Sequence, residues 1–112
     1  MSISPNNRAE ILKLAAAAAE VNFHYVDDGG VWYSRNHMSE SVYRWDPIGD
    51  DDANDELARD FGIKSWYDEQ SGHAVATDTK GRVFSLNTSY CNYDPASTRR
   101  LAVVFAVAHD AK

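Results

Sequence analysis

Apolar residues recur with two different periods along this 112-residue chain, and the switches between them mark its elements. Ile11, Leu14, Ala15, Ala18 and Val21 stand three and four apart, predicting a helix over about residues 8–21 with a narrow, alanine-rich face. Asn7 can cap it, and Glu10 sits in the capping-box position three residues on. Such small side chains allow a helix to lie close to a sheet. "NFHYV" and "VWYSR" follow, two aromatic and β-branched runs separated by "DDGG", which reads as a hairpin. "NHMSE" reads as a loop and "SVYRW" as a further short strand.

Pro47 pushes Asp46 away from helical angles, so the chain is extended there. Ala53, Leu57 and Phe61 then stand four apart with Ala58 beside them, predicting a second helix from Asp52 to Phe61. Gly62 followed by apolar Ile63 has the form of a Schellman stop. "KSWYDE", "HAVATD" and "RVFSLN" read as an antiparallel meander, with "DTKG" as the hairpin loop between the last two. The closing segment "YDPASTRRLAVVFAVAHDAK" places Asp94 at a helix cap and Pro95 at the first helical position. Leu101, Val104, Phe105 and Ala108 form its stripe, widened by Val103 and Val107. The pattern predicts a single α+β domain over residues 1–112, an antiparallel sheet of about four to six strands packed with three helices.

Composition changes this picture little. A chain this long can bury about two thirds of its unfolded surface without disulfides or metals. Cys91 is the one cysteine, so no intramolecular disulfide or multi-cysteine zinc site can form, and a reducing cytoplasmic compartment is expected. Arg8, Glu10, Lys13 and Glu20 interrupt the small-residue start, which reads as a helix and not as a signal peptide. Leu101 to Ala108, the longest strongly apolar run, falls far short of the roughly 18 residues of a membrane span.

Charge changes it more. The net charge is −6, and the segment Asp46 to Asp60 alone holds seven carboxylates, Asp46, Asp50, Asp51, Asp52, Asp55, Glu56 and Asp60, against the single base Arg59. Outside that segment acids and bases balance, so the acidity is a local patch, which argues against direct nucleic-acid binding through a basic footprint. As a calcium loop counted from Asp50 the segment fails twice, with Asp55 where glycine is needed and Phe61 where the bidentate glutamate is needed. A helix start can use a cap and a couple of first-turn acids, which leaves several carboxylates over. These are either tolerated at a solvated surface or present charge to a basic partner, with Asp50, Asp51, Asp52, Asp55 and Glu56 as the candidate contacts.

The other chemistry is sparser. Cys91 could be a nucleophile if one of His24, His37, His73 or His109 met it in space, or a buried inert thiol at a strand end. The four histidines show no HxxxH or HExxH spacing, and neither a metal nor another cofactor is expected. The doublets Trp32-Tyr33 and Trp66-Tyr67 put neighbouring rings on opposite strand faces, and Trp32 and Tyr67 are taken as candidate partner anchors.

"YRWDPIGDDDANDELARDFGI", with Trp45, Asp46, Pro47 and Gly62, resembles small phage and prophage proteins of the α-β-α sandwich type. In these, Trp-(Asn/Asp)-Pro precedes an acidic spacer and a helix ending in Gly-Ile. "NYDPASTRRLAVVFAVA", with Asp94 and Pro95, is similar to their closing helix. The resemblance implies a phage or mobile-element accessory protein in the host cytoplasm that binds a host protein or complex with a basic surface. An anti-CRISPR-like inhibitor of a defence complex is the leading expectation. A small cysteine-dependent hydrolase and a phage assembly protein are the alternatives.

Overall fold

The computed structural model describes residues 3–33 and 43–110. The first helix, α1, spans Arg8–Ala18, and Asn7 caps it by accepting from the Glu10 backbone N–H at 3.2 Å. It stops three residues before the periodicity does. Val21 N–H donates to Ala16 O and Glu20 N–H to Ala17 O, with Glu20 in the left-handed region at φ 59°. This is a Schellman closure with glutamate where glycine is usual. Its buried face is Ile11, Leu12, Ala15 and Ala16, rotated slightly from the stripe read in the sequence, with Leu14 and Ala18 at its edge.

The hairpin β1 (Phe23–Asp27) and β2 (Gly30–Tyr33) follows, and β3 (Tyr43–Trp45) pairs antiparallel with β2. All of "NHMSE" and parts of "VWYSR" and "SVYRW" lie outside the described residues. Helix α2 spans Asp51–Phe61 with Asp50 as its cap, and Gly62 at φ 66° ends it. Ile63 N–H donates to Ala58 O at 2.8 Å and Gly62 N–H to Arg59 O at 3.4 Å, the expected Schellman pair. Strands β4 (Lys64–Asp68), β5 (His73–Thr77) and β6 (Val83–Asn87) form the meander. A 3-10 turn, Thr88–Cys91, leads through Asp94 to α3, Pro95–Asp110.

The six strands do not form the single sheet expected from the sequence. They form two three-stranded antiparallel sheets, ordered β1-β2-β3 and β4-β5-β6. The physical reason lies between them, where α2 separates β3 from β4 and, among the described residues, no strand of one meander pairs with a strand of the other. Period-two alternation identifies strands but carries no information about which meanders join.

Layering also departs from a sandwich with a central sheet. The N-terminal sheet packs on α1, α1 packs on α3, and α3 packs on the C-terminal sheet, with α2 also against α3. The helices α1 and α3 therefore lie between the sheets. Every residue from Leu101 to Ala108 is buried, so α3 has no solvent face along these turns. A helix that is apolar all round belongs in the centre of a core. The core continues through Ile11, Leu12, Val31, Ile48, Leu57, Ala74, Ala76 and Leu86.

An ion network ties the β5–β6 turn to the end of α3. Asp110 Oδ1 accepts from Lys80 Nζ at 2.7 Å and from Arg82 Nη2 at 3.0 Å, and Arg82 Nε donates to Asp78 Oδ2 at 2.6 Å. Lys80 chiefly, with Arg82, holds the Asp110 carboxyl below its ordinary value of 3.8. Burial alone would raise Asp78, but the Arg82 N–H and guanidinium and the Lys80 N–H outweigh it and lower the group. At the other end of α3 the Ser97 hydroxyl, donating at 2.6 Å, leads the lowering of Asp94. A carboxyl whose folded pKa is depressed stabilises above its unfolded pKa and loses that contribution as pH falls through the folded value. The melting temperature is therefore expected to hold between about pH 7 and 5 and to fall below about pH 4, with a shallower fall in Asp110→Asn. Circular-dichroism melts at stepped pH check this, and a melting temperature rising on acidification below about pH 4 contradicts it.

Candidate functional site

The acidic segment divides into carboxylates that the fold uses and carboxylates that it does not. At the Pro47 turn, Asp46 Oδ1 accepts from the backbone N–H groups of Ile48 at 3.2 Å and Gly49 at 3.1 Å, while Oδ2 pairs with Arg44 at 2.9 Å. Asp50 caps α2 by accepting from Asp52 N–H at 3.0 Å. Asp51 receives Arg100 Nη1 at 2.8 Å, with Arg99 Nη2 at 3.9 Å.

Behind these acids is a joint that fixes α2 on α3. Asn54 is fully buried on α2, and its Nδ2 donates both to Pro47 O at 2.8 Å and to Arg100 O at 2.9 Å. Arg100 Nε returns a bond to Ile48 O at 2.7 Å, and its Nη2 donates to Ser97 Oγ at 3.0 Å. Unpaired buried carbonyls are costly, so one amide and one guanidinium orient the whole helix.

Asp52, Asp55, Glu56 and Asp60 are exposed, and among the described residues their carboxylates make no hydrogen bond or ion pair. Asp52 benefits from the positive end of the α2 dipole in the first turn, whereas Asp60 lies near the negative end. No group of three or more His, Cys, Asp or Glu side chains among the described residues is arranged to hold a metal ion.

The two aromatic anchors are not brought together with this helix. Trp32 lies on the outer face of the N-terminal sheet, opposite Tyr25 and Arg44, and stacks on Tyr25 with centroids 5.9 Å apart. Its Nε1 is buried without a partner among the described residues. Tyr67 is on the other sheet, in the row of Ala74 and Leu86 that faces the core. The exposed ring of that doublet is its neighbour Trp66, 48% exposed.

Cys91 is buried, but at the end of the 3-10 turn and not of a strand. Arg8 Nη2 donates to its Sγ at 3.3 Å, in a cleft of about 300 Å³ that it shares with Asp46, Asp94 and Ser97. His73 Nδ1 donates to Ser71 O and His109 Nδ1 to Phe105 O, His24 is exposed on β1, and His37 is outside the described residues. The partner that the fold gives the thiol is a guanidinium, and a guanidinium is no general base.

A larger cleft, about 440 Å³, opens between α2, the turn after α1 and the core face of the N-terminal sheet. Leu57, Trp45 and Tyr33 supply apolar wall, and Glu20, Glu56 and Asp60 supply carboxylates. Part of it was readable in advance, because Ala53, Glu56, Leu57 and Asp60 recur at i, i+3, i+4 and i+7 on one helix face. Glu20 and Tyr33 reach it only through tertiary packing. In comparisons with protein families, curated proteins and solved structures, nothing matches this chain.

Proposed function

We propose that this protein acts by stoichiometric binding of a partner protein with a basic surface, using the outward carboxylates of α2. The observation that carries the reading is the division of the acidic segment, with Asp46, Asp50 and Asp51 engaged by the fold and Asp52, Asp55, Glu56 and Asp60 left without partners among the described residues. Unpaired like charges on one short helix repel each other, and a basic surface turns that repulsion into attraction and faster encounter. The rigid Asn54 and Arg100 joint supports the same reading, since a fixed charge array loses little entropy on binding.

The finer form of the proposal draws on the segments around Trp45-Asp46-Pro47 and Asp94-Pro95 that resemble small phage proteins. In that form the partner is a host defence complex, and the acidic helix occupies a lysine- and arginine-lined path meant for nucleic acid. The test compares tagged wild-type protein with Asp52→Asn/Asp55→Asn/Glu56→Gln/Asp60→Asn in capture from host lysate at low and high salt. Wild type should retain a partner at fixed stoichiometry, lost in the variant and at high salt. Equal capture by both proteins would remove the acidic helix from the account.

A further inference from the structure

We propose that the 440 Å³ cleft is a receptor for a single arginine side chain of the basic partner. The inference rests on the proposed function and names what the partner inserts. Three observations converge on it. Its wall is mixed in the way an arginine needs, with Leu57 and the half-buried rings of Tyr33 and Trp45 beside the carboxylates of Glu20, Glu56 and Asp60. An arginine has an apolar stem and a planar cation, which packs on aromatic faces and bonds carboxylates in a fork.

The second observation is charge complementarity. No cationic side chain lines the cleft, and none of its three carboxylates is paired within the described residues. They come from two separate elements, the turn after α1 and the helix α2, so their convergence is a property of the tertiary fold and not of one acidic run. The third is the identity of residue 20. The Schellman closure of α1 puts it at φ 59°, where glycine would be unstrained, yet the residue that lines the cleft there is acidic. A neutral apolar ligand would leave three carboxylates desolvated at its edge, and an anion would be repelled.

The experiment titrates the protein with the peptide acetyl-Gly-Arg-Gly-amide and with its citrulline counterpart, a neutral isostere, following indole and backbone N–H signals by NMR. The arginine peptide should shift the Trp45 indole signal and those of Tyr33, Glu56 and Asp60 while leaving Trp66 on the distant sheet unmoved, and citrulline should bind at least about tenfold more weakly. Glu56→Gln/Asp60→Asn should weaken the arginine peptide about tenfold, whereas Asp52→Asn/Asp55→Asn, outside the cleft, should change it less than about twofold.

Glu20→Gly separates the cleft from the fold. Removing a strained side chain should raise the melting temperature by about 3 °C while the arginine peptide binds more weakly. Equal binding of citrulline, or unchanged affinity in both Glu56→Gln/Asp60→Asn and Glu20→Gly, would overturn the arginine site. If those results come while lysate capture still depends on the α2 acids, the cleft assignment alone fails. Loss of that dependence as well removes the proposed function with it.

Discussion

Replacing Asn54 by Ala is expected to lower the unfolding free energy by about 3 kcal/mol, one of the largest effects of any single polar substitution in the chain. The amide is fully buried and supplies both hydrogens to two backbone carbonyls, Pro47 O and Arg100 O, which come from the turn before α2 and from α3. Alanine leaves those carbonyls without this donor and opens a small void between the elements. The sharper variant is Asn54→Asp, nearly identical in shape but with no N–H to donate at neutral pH. It places a carboxylate against two carbonyl oxygens and should cost at least as much as alanine. Urea denaturation with an unchanged m-value measures both, and a tolerated aspartate would show that shape, not hydrogen bonding, holds the joint.

Asn54 also shows where sequence reading stops. Its neighbours Ala53 and Leu57 announce a helix face by spacing, but nothing in "DDDANDEL" distinguishes the one polar residue that turns inward from the acids that turn out. The inward turn depends on Arg100, 46 residues away. Local signals fared better. The Asn7 and Asp94 caps, the Gly62 stop and the "DTKG" hairpin with Gly81 at φ 81° each depend on a few adjacent residues, and all are found, whereas the α2 cap falls on Asp50, two residues before the expected start.

What local pattern could not supply was assembly. Strand alternation located six strands without saying that α2 would divide them between two sheets. The central place of α3 was partly visible, because "LAVVFAVA" contains no polar residue and so has no face to offer water. Read as a stripe, it suggested a helix lying on a sheet. Read as a continuous apolar cylinder, it demands neighbours on every side, and α1, α2 and the C-terminal sheet are those neighbours. The cleft needed the same long-range information, since Glu20 comes to line it with Glu56 and Asp60 only after α1 has closed with a glutamate in a glycine position.

The surplus of acid at Asp46 to Asp60 is the feature that the proposed function rests on, and it makes a second large prediction. Asp46→Ala/Asp50→Ala/Asp51→Ala removes the turn acceptors, the helix cap and the Arg100 pair, and should cost about 3 kcal/mol in sum. Alanine is the right substitute there, because asparagine would still cap. Asp52→Asn/Asp55→Asn/Glu56→Gln/Asp60→Asn removes four charges that hold nothing within the described structure. The dipole contribution lost at Asp52 is offset by the unfavourable one relieved at Asp60.

Urea unfolding of these two variants beside wild type, at low salt so that charge effects are not screened, tests the division directly. The prediction is a loss of about 3 kcal/mol in the first and a change within about 0.5 kcal/mol, or a gain, in the second. A loss above about 1 kcal/mol in the second would mean that those carboxylates serve the fold after all, and would contradict their assignment to a partner.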